Sequence, residues 1–367
     1  SGGIDSSLIT ALLQLTRKDP VSSFTISFPD DEFGNNNSFN EAPFAKTVAS
    51  SLGTNHTEIN LTYKDVQSLI PNLSGVYSEP FSDSSQVPTF LVCREAKKAG
   101  LSVMMSGDGG DELFGGYNRH KFGPLIYENL YDKPFIVRNL ISKIVEYLPI
   151  INKGLNREKK YKLYKAIRNS HNLNSIYYSL ISIFTDQSKP LNNNWRSNNL
   201  TFINSISDQL TPSEQFMIND LLNYLPGDIL VKIDRAAMNV SLETRAPFLD
   251  HRVAEIAWSL PLELKINRKG YKYKSKWALK EILKKYVPEN IINRPKSGFA
   301  MPIGQWLRGP LKNWADDLLD PSLLSRQGFL DPKKVNCLWE KHLNGSIENT
   351  NKIWTILMWQ AWLKEWR

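Results

Sequence analysis

Ser1-Gly2-Gly3-Ile4-Asp5-Ser6-Ser7 opens the chain. Two glycines lead directly into a helical pattern in which Ile4, Leu8, Ala11, Leu12 and Leu15 fall on one face, which describes a tight loop feeding a helix N-terminus. The first helical N–H groups have no intrahelical partner, and the helix dipole adds roughly half a positive charge there, so such a terminus stabilises phosphate oxygens. Glycine lets the backbone come close, and the hydroxyls of Ser1, Ser6 and Ser7 can donate further hydrogen bonds. Asp5 is the informative residue. A carboxylate beside a phosphate repels it unless a cation lies between them, so Asp5 implies Mg2+. By itself, Ser-Gly-Gly is more often a plain turn capped by serine.

Outward from this loop the chain alternates strands and helices. Val21 to Phe28 reads as a strand, Pro29 to Asn40 as a polar loop, Glu41 to Leu52 as a helix with Phe44, Val48 and Leu52 at four-residue spacing, and His56 to Leu61 as a second strand. A helix from Tyr63 to Ile70 is expected to stop or kink at Pro71. Pro88, Lys97, Lys98 and Gly100 bracket another helix. This alternation predicts an α/β fold with a parallel sheet flanked by helices, followed by a large helical C-terminal portion.

Leu101 to Met105 is a short apolar strand, and Ser106-Gly107-Asp108-Gly109-Gly110-Asp111-Glu112-Leu113-Phe114-Gly115-Gly116-Tyr117 stands at its carboxyl end. Ligands of open α/β sheets collect beyond the carboxyl ends of strands, where both glycine loops fall. Asp108 and Asp111 supply carboxylates for metal or proton work, and the glycines allow close approach to a nucleotide. The competing reading is an acidic turn whose Asp111 and Glu112 stabilise a helix N-terminus.

Residues 121–210 are silent about chemistry, with helices expected from Pro134 to Tyr147 and Ile176 to Phe184. Tyr224 to Met238 repeats Leu225, Ile229, Ile233 and Ala237 every four residues, predicting an amphipathic helix. Glu243 to Asp250 reads as a turn whose charges are either paired with that helix or used on substrate. Lys272, Lys274 and Lys276 enter a helix predicted from Ser275 to Tyr286, and Arg294 to Phe299 forms a basic loop; one lysine reaching polyphosphate fits an ATP site. Trp354, Leu357, Trp359, Trp362 and Trp366 predict a packing helix.

Composition narrows the classes. The 367 residues are 41% hydrophobic with ten Trp, enough for one large or two smaller domains. No apolar run is long enough to span a bilayer, so the chain is read as cytoplasmic and without a membrane partner. Cys93 and Cys337 lack the spacing of a disulfide framework or zinc site and are expected to be reduced and buried. A net charge of +8 is compatible with RNA, but the basic clusters are interspersed with acids and read as solvated helix faces, so no nucleic-acid partner is expected. A phosphate loop of this kind follows a buried strand, and the chain starts at the loop itself; a piece of a longer protein is expected.

Four stretches carry a likeness. SGGIDSS from Ser1, SGDGGDELFGGY from Ser106, DRAAMNVSLETRAPFLD from Asp234 and RPKSGFAMPIGQWL from Arg294 together resemble the C-terminal synthetase domain of glutamine-hydrolysing asparagine synthetases, members of the ATP-pyrophosphatase (PP-loop) group. The resemblance implies an adenine-nucleotide α-hydrolase type of core over 1–120, a helical insertion over 121–210 and a helical portion over 211–367 that completes the site. It implies ATP and Mg2+, and amidation of aspartate to asparagine through a β-aspartyl adenylate with AMP and pyrophosphate as products. By motif position Ser1, Gly2, Gly3, Asp5 and Ser6 would hold pyrophosphate, Asp5 and Asp111 the metal, and Ile26, Ser106 and Gly107 the adenosine. Lys276 would stabilise the adenylation transition state, and Asp108 would help ammonia lose a proton. Other members of the family carry Glu at this last position, one methylene longer. Partners implied are aspartate, ammonia and an N-terminal glutaminase domain in the full-length protein, with a homodimer among the allowed assemblies; without that domain glutamine is not expected to be hydrolysed. Two rival readings remain: an amidotransferase of the same fold acting on another carboxylate such as a sugar acid, and a non-catalytic nucleotide- or RNA-binding module.

Overall fold

The computed structural model describes residues 2–28, 40–147, 157–184, 189–192, 209–269, 272–294 and 301–367. Ser1, the loop predicted from Pro29 to Asn40 except for its last residue, and the basic loop after Arg294 lie outside the described residues. The chain forms two compact units that interleave along the sequence: Ser1–Gly116 with Asn223–Pro302, and Tyr117–Leu222 with Ile303–Arg367.

In the first unit, α1 (Ile4–Leu15) starts behind an extended Gly3 and buries Ser7, Leu8, Ile9 and Ala11. Leu12 and Leu15, predicted on the same face, are exposed instead, because the covered arc is centred on Leu8 and Ala11. β1 (Ser22–Ser27), α2 (Ala42–Leu52) and β2 (Asn55–Asn60) follow, with the two strands parallel and in register from Ser22 opposite Asn55 to Ser27 opposite Asn60. Gly53 ends α2 with a left-handed φ of 69°, the conformation glycine adopts without steric cost.

α3 (Tyr63–Tyr77) opens on a reciprocal cap between Thr62 and Asp65. Of the two outcomes expected at Pro71, a stop does not occur: the helix runs on to Tyr77 with the proline inside it. Leu73 and Tyr77, beyond the proline, are 2% and 1% exposed. Burying each is worth roughly 1.5–3 kcal/mol, which together offsets the about 3 kcal/mol that an interior proline costs. α4 (Gln86–Lys98) has the predicted Pro88, Lys97 and Lys98 in its end turns, and Gly100 turns the chain with φ 84° into β3 (Val103–Met105). One short turn, α5 (Gly110–Leu113), follows the acidic glycine loop.

The later part of this unit departs further from expectation. The helix predicted from Tyr224 to Met238 is a wide π-helix over Asp220–Ile229 that continues as α6 (Leu230–Asn239). Pro226 lies in the wide part, where it has no N–H for a regular i→i−4 bond. Glu243 to Arg245, read as a turn, forms β4, parallel to β3 with Val103 opposite Glu243. The turn charges pair locally: Arg245 with Glu243, and Arg252 with Asp250, which caps α7 (His251–Ser259). Lys272 to Ser275, predicted to lead into a helix, is instead β6, antiparallel to β5 (Ile266–Lys269). The helix itself, α8 (Trp277–Leu283), begins two residues later than predicted because Lys276 ahead of it has a left-handed φ of 53°, and it ends three residues earlier.

In the second unit, helices Arg119–Leu130, Phe135–Tyr147, Arg157–Arg168, Leu173–Ile181 and Pro212–Asn219 surround a core of Ala166, Leu173, Ile176, Tyr177 and Phe216. The helix predicted from Ile176 begins three residues earlier because Asn172 caps it, accepting from the Ser175 N–H at 2.9 Å. Asp220 is fully buried: its carboxylate accepts from Arg119 Nε at 2.7 Å and from Tyr177 Oη at 2.6 Å, and lies 2.5 Å from His120 Nε2. The predicted tryptophan helix spans Thr350–Trp366; Trp354 and Leu357 are buried whereas Trp366 is 57% exposed. Among the described residues no helix is long and apolar enough to cross a membrane. Cys93 is buried as predicted, but Cys337 is exposed on helix Pro332–Leu343.

Candidate active site

The two glycine loops meet in the first unit. A Cβ on Gly107 would lie 2.7 Å from Asp5 Cβ and 2.8 Å from the Ser6 nitrogen, and one on Gly110 would lie 2.6 Å from Asp5 Oδ1. Only bare backbone fits against the first turn of α1. Gly2 is used in the same way on the other side, where a Cβ would stand 2.5 Å from Phe44 Cβ of α2. Gly3, the N-cap of α1, makes no side-chain cap bond, so no side chain of its own covers the terminus. Ser6 Oγ donates to the Gly3 carbonyl at 3.3 Å.

Lys276 joins the loops. Its ammonium binds Asp5 Oδ2 and lies 2.7 Å from Asp111 Oδ1, although the two aspartates are far apart in sequence. The residue is 5% exposed. Burial works against its charge, yet the carboxylates of Asp5 and Asp111 and the bonds they accept hold its pKa above the usual lysine value. Its N–H donates to the Phe114 carbonyl at 3.1 Å, so the backbone is fixed as well as the head group. A non-glycine residue at φ 53° carries about 1–2 kcal/mol of steric strain, and such strain gathers at functional positions. Gly116 makes room for the cluster: a Cβ there would stand 1.8 Å from Asp111 Oδ1 and 2.2 Å from Lys276 Cε.

Asp108 lies on the same loop. Burial pushes its carboxyl above the ordinary aspartate value, against a hydrogen bond from Ser106 and the charge of Lys232, with Asp111 adding to the rise. Burial, with the Asp108 charge second, pushes the Cys93 thiol up to about 12. Ser106 itself extends the ladder, its N–H donating to the Arg245 carbonyl at 2.9 Å. Ile26 is 3% exposed in β1, opposite Ile59 of β2, and so is placed in a strand rather than in the charged cluster. Of the residues singled out in the sequence, Asp5, Asp111 and Lys276 are in direct contact, Gly107 packs on Asp5, and Ser106 holds Asp108; Ser1 lies outside the described residues.

One pair was missed. Lys232 near the start of α6 binds Asp83 Oδ2 at 2.6 Å, and the Asp83 carboxylate also accepts from Ser85 N–H at 2.9 Å and Ser85 Oγ at 2.8 Å. No sequence signal links the two: Asp83 stands ahead of α4, whereas Lys232 lies within the long helix that α6 continues.

The cluster can take both parts of a metal nucleotide. Two carboxylate oxygens already converge on one cation, and they are hard donors of the kind Mg2+ takes, normally as one or two carboxylates completed by phosphate and water. No group of three or more His, Cys, Asp or Glu fit to hold a metal occurs among the described residues. The N-terminus of α1 beside it, whose glycine N-cap places no side chain over it, suits the phosphates themselves.

The chain is similar to known proteins over nearly its whole length. The family model described as asparagine synthase matches residues 1–364. The chain is similar to asparagine synthetase [glutamine-hydrolyzing] 1 of Bacillus subtilis (strain 168), with 29% identity over 99% of this chain and 55% of that protein. It is also similar to a putative asparagine synthetase [glutamine-hydrolyzing] of Mycobacterium bovis, with 32% identity over 99% of this chain and 53% of that protein. The chain thus spans about half the length of the curated relatives it matches. With the family model covering nearly all of the chain, and the glycine loops that carry its motifs meeting around one buried lysine, the chain belongs to the asparagine synthase family.

Proposed function

We propose that this chain is the synthetase part of an ATP-dependent amide ligase of PP-loop type that converts aspartate to asparagine, with AMP and pyrophosphate as products. The observation that carries this reading is the Asp5–Lys276–Asp111 cluster, a buried lysine between two half-buried carboxylates, at the junction of two glycine loops. Mg2+, held by Asp5 and Asp111, neutralises charge on the phosphates when bound. Gly2, Gly3, Ser6 and the N-terminus of α1 bind the pyrophosphate moiety, with Ser1 adding a hydroxyl; Ile26, Ser106 and Gly107 line the adenosine.

The acceptor carboxylate attacks the α-phosphorus, a C–O–P link forms, and the bond to the pyrophosphate oxygen breaks. Lys276 follows that leaving oxygen with its ammonium, because negative charge accumulates there in the transition state. Ammonia, released from glutamine by a separate glutaminase domain, then attacks the acyl carbon. The C–N bond forms as AMP departs with the electrons of the C–O bond. Asp108 takes the proton that nitrogen sheds, and its raised pKa makes it a better base than an ordinary aspartate.

The test is product analysis with ATP, Mg2+, aspartate and ammonium salts: AMP and pyrophosphate are expected in equal amounts, and formation of ADP and phosphate overturns the reading. A panel of sugar acids in place of aspartate tests the rival acceptor class. Gly107→Ala is expected to lower kcat about 100-fold, since the new methyl group meets the backbone of Asp5 and Ser6 and a displacement near 1 Å costs that much. Steady-state kinetics with a melting curve checks this; a folded variant within about fivefold of wild type contradicts the close packing of the loops.

A further inference from the structure

The ion pair between Asp83 and Lys232 lies outside the phosphate cluster, and its position follows from topology. α4 runs into β3 through the turn at Gly100, and α6 runs into β4 through a turn closed by the Leu242 N–H on the Ala237 carbonyl at 2.9 Å. β3 and β4 are parallel neighbours. Each helix therefore packs back against the direction of its own strand, and the N-terminal ends of both helices lie toward the carboxyl ends of the two strands. Lys97, near the end of α4, confirms that the helices run side by side, because its Nζ donates to the Ser241 carbonyl just beyond α6 at 2.7 Å. Asp83 just before α4 and Lys232 at the start of α6 thus bridge the two helices at the end where Ser106 and Asp108 leave β3.

The two charges are not held alike. Asp83 is fixed by the main chain and hydroxyl of Ser85 as well as by Lys232, so its carboxylate keeps partners if the lysine swings away on its four-carbon stem. The Lys232 backbone is anchored separately, its carbonyl accepting from Tyr77 Oη at 3.2 Å. The paired side chains are 13% and 21% exposed, enough for a small head group to reach them. A half-buried ion pair contributes little net stability, whether judged against exposed pairs or against apolar side chains of the same volume, so stability alone does not account for it. Lys232 is also close enough to Asp108 for its charge to counter the rise of that carboxyl.

We propose that Asp83 and Lys232 form the recognition site for the zwitterionic head of an amino-acid acceptor, Asp83 binding the α-ammonium and Lys232 the α-carboxylate, which leaves the side-chain carboxylate directed at the nucleotide. This rests on reading the chain as a carboxylate-activating ligase, and it makes the acceptor an amino acid rather than a sugar acid. The split pair exchanges one salt bridge for two. A dicarboxylate without the ammonium meets Asp83 as an unbalanced negative charge and is rejected.

The probes are aspartate and succinate, which differ by the ammonium alone, used with the full-length protein in pyrophosphate exchange into ATP and in calorimetric titration. Asp83→Asn is expected to raise the KM and Kd for aspartate about 10- to 100-fold, to improve succinate by removing that repulsion, and to leave ATP almost unchanged, so that the preference for aspartate collapses. Lys232→Met is expected to weaken both acids, and Asp83→Glu to recover part of the aspartate affinity. A merely structural pair would weaken both acids and ATP together in Asp83→Asn, and that result overturns the proposal, as does wild-type protein that does not distinguish the two acids. If neither acid supports exchange yet aspartate still binds in an Asp83-dependent way, the ligase reading fails and the head-group site stands. If exchange occurs and the variants leave the acid preference intact, the ligase reading stands and the head-group site fails.

Discussion

Replacing Lys276 by Met lowers the rate of AMP formation by about 100- to 1,000-fold, the usual effect of removing one preorganised charge partner from a developing oxyanion. KM for the acceptor moves little, because the ammonium acts on the leaving pyrophosphate. Lys276→Arg does not restore the rate: the residue is 5% exposed and its stem lies against Gly116, and a planar fork does not fit where a compact ammonium sits. A second readout is independent of turnover. Without the lysine, Asp5 and Asp111 face each other without their shared cation, so Mn2+ titrated into nucleotide-free protein, followed by its paramagnetic signal, binds more tightly to Lys276→Met than to wild type. A variant that keeps wild-type kcat, or one whose metal affinity is unchanged, removes Lys276 from this role.

The other large effect concerns stability. Asp220→Ala is expected to destabilise the chain by about 3–5 kcal/mol, as found when one partner of a buried charge cluster is removed, because Arg119, His120 and Tyr177 all direct polar atoms at that carboxylate. Urea unfolding followed by circular dichroism measures it, and a change below about 1 kcal/mol shows that the cluster is dispensable. The same residue sets an acid limit. Burial alone would raise the Asp220 pKa, but the bonds and charges of His120 and Arg119 outweigh it and hold the value below that of a free aspartate. The folded value is depressed, so the stabilisation is present above the unfolded value near 3.9 and is lost as pH falls through the folded one. Wild-type protein therefore loses stability with acid in that window, and Asp220→Ala lacks this part of the loss.

Local signals in the sequence carried the front of the molecule well. Glycines followed by an amphipathic run gave α1, β-branched runs gave β1 and β2, and the charged and proline ends of α4 were visible directly. The site's two loops were legible as a pair, since glycines beside acids ahead of a helix read singly as capped turns. Elements fixed by distant partners were not legible. Glu243-Thr244-Arg245 has no apolar alternation and becomes a strand only because β3 lies alongside. Lys272 to Ser275 becomes a strand by pairing with Ile266 to Lys269. Pro71 was read for its local cost, whereas Leu73 and Tyr77 decide the outcome by packing. Lys276 could be chosen among its neighbouring lysines only through the family likeness, and no spacing rule links Asp83 to Lys232 across the chain.

The contrast between the two cysteines gives the protein a built-in chemical reporter. Cys337 is open to solvent, while Cys93 is buried and its thiol is held at about 12, so at neutral pH an alkylating reagent meets one reactive sulfur and one protected sulfur. The first label attaches to the second unit, and the second attaches only when the first unit opens around Asp108. The delay between them is a clock for that local opening, and the lengthening of the delay by nucleotide measures how firmly the ligand closes the unit.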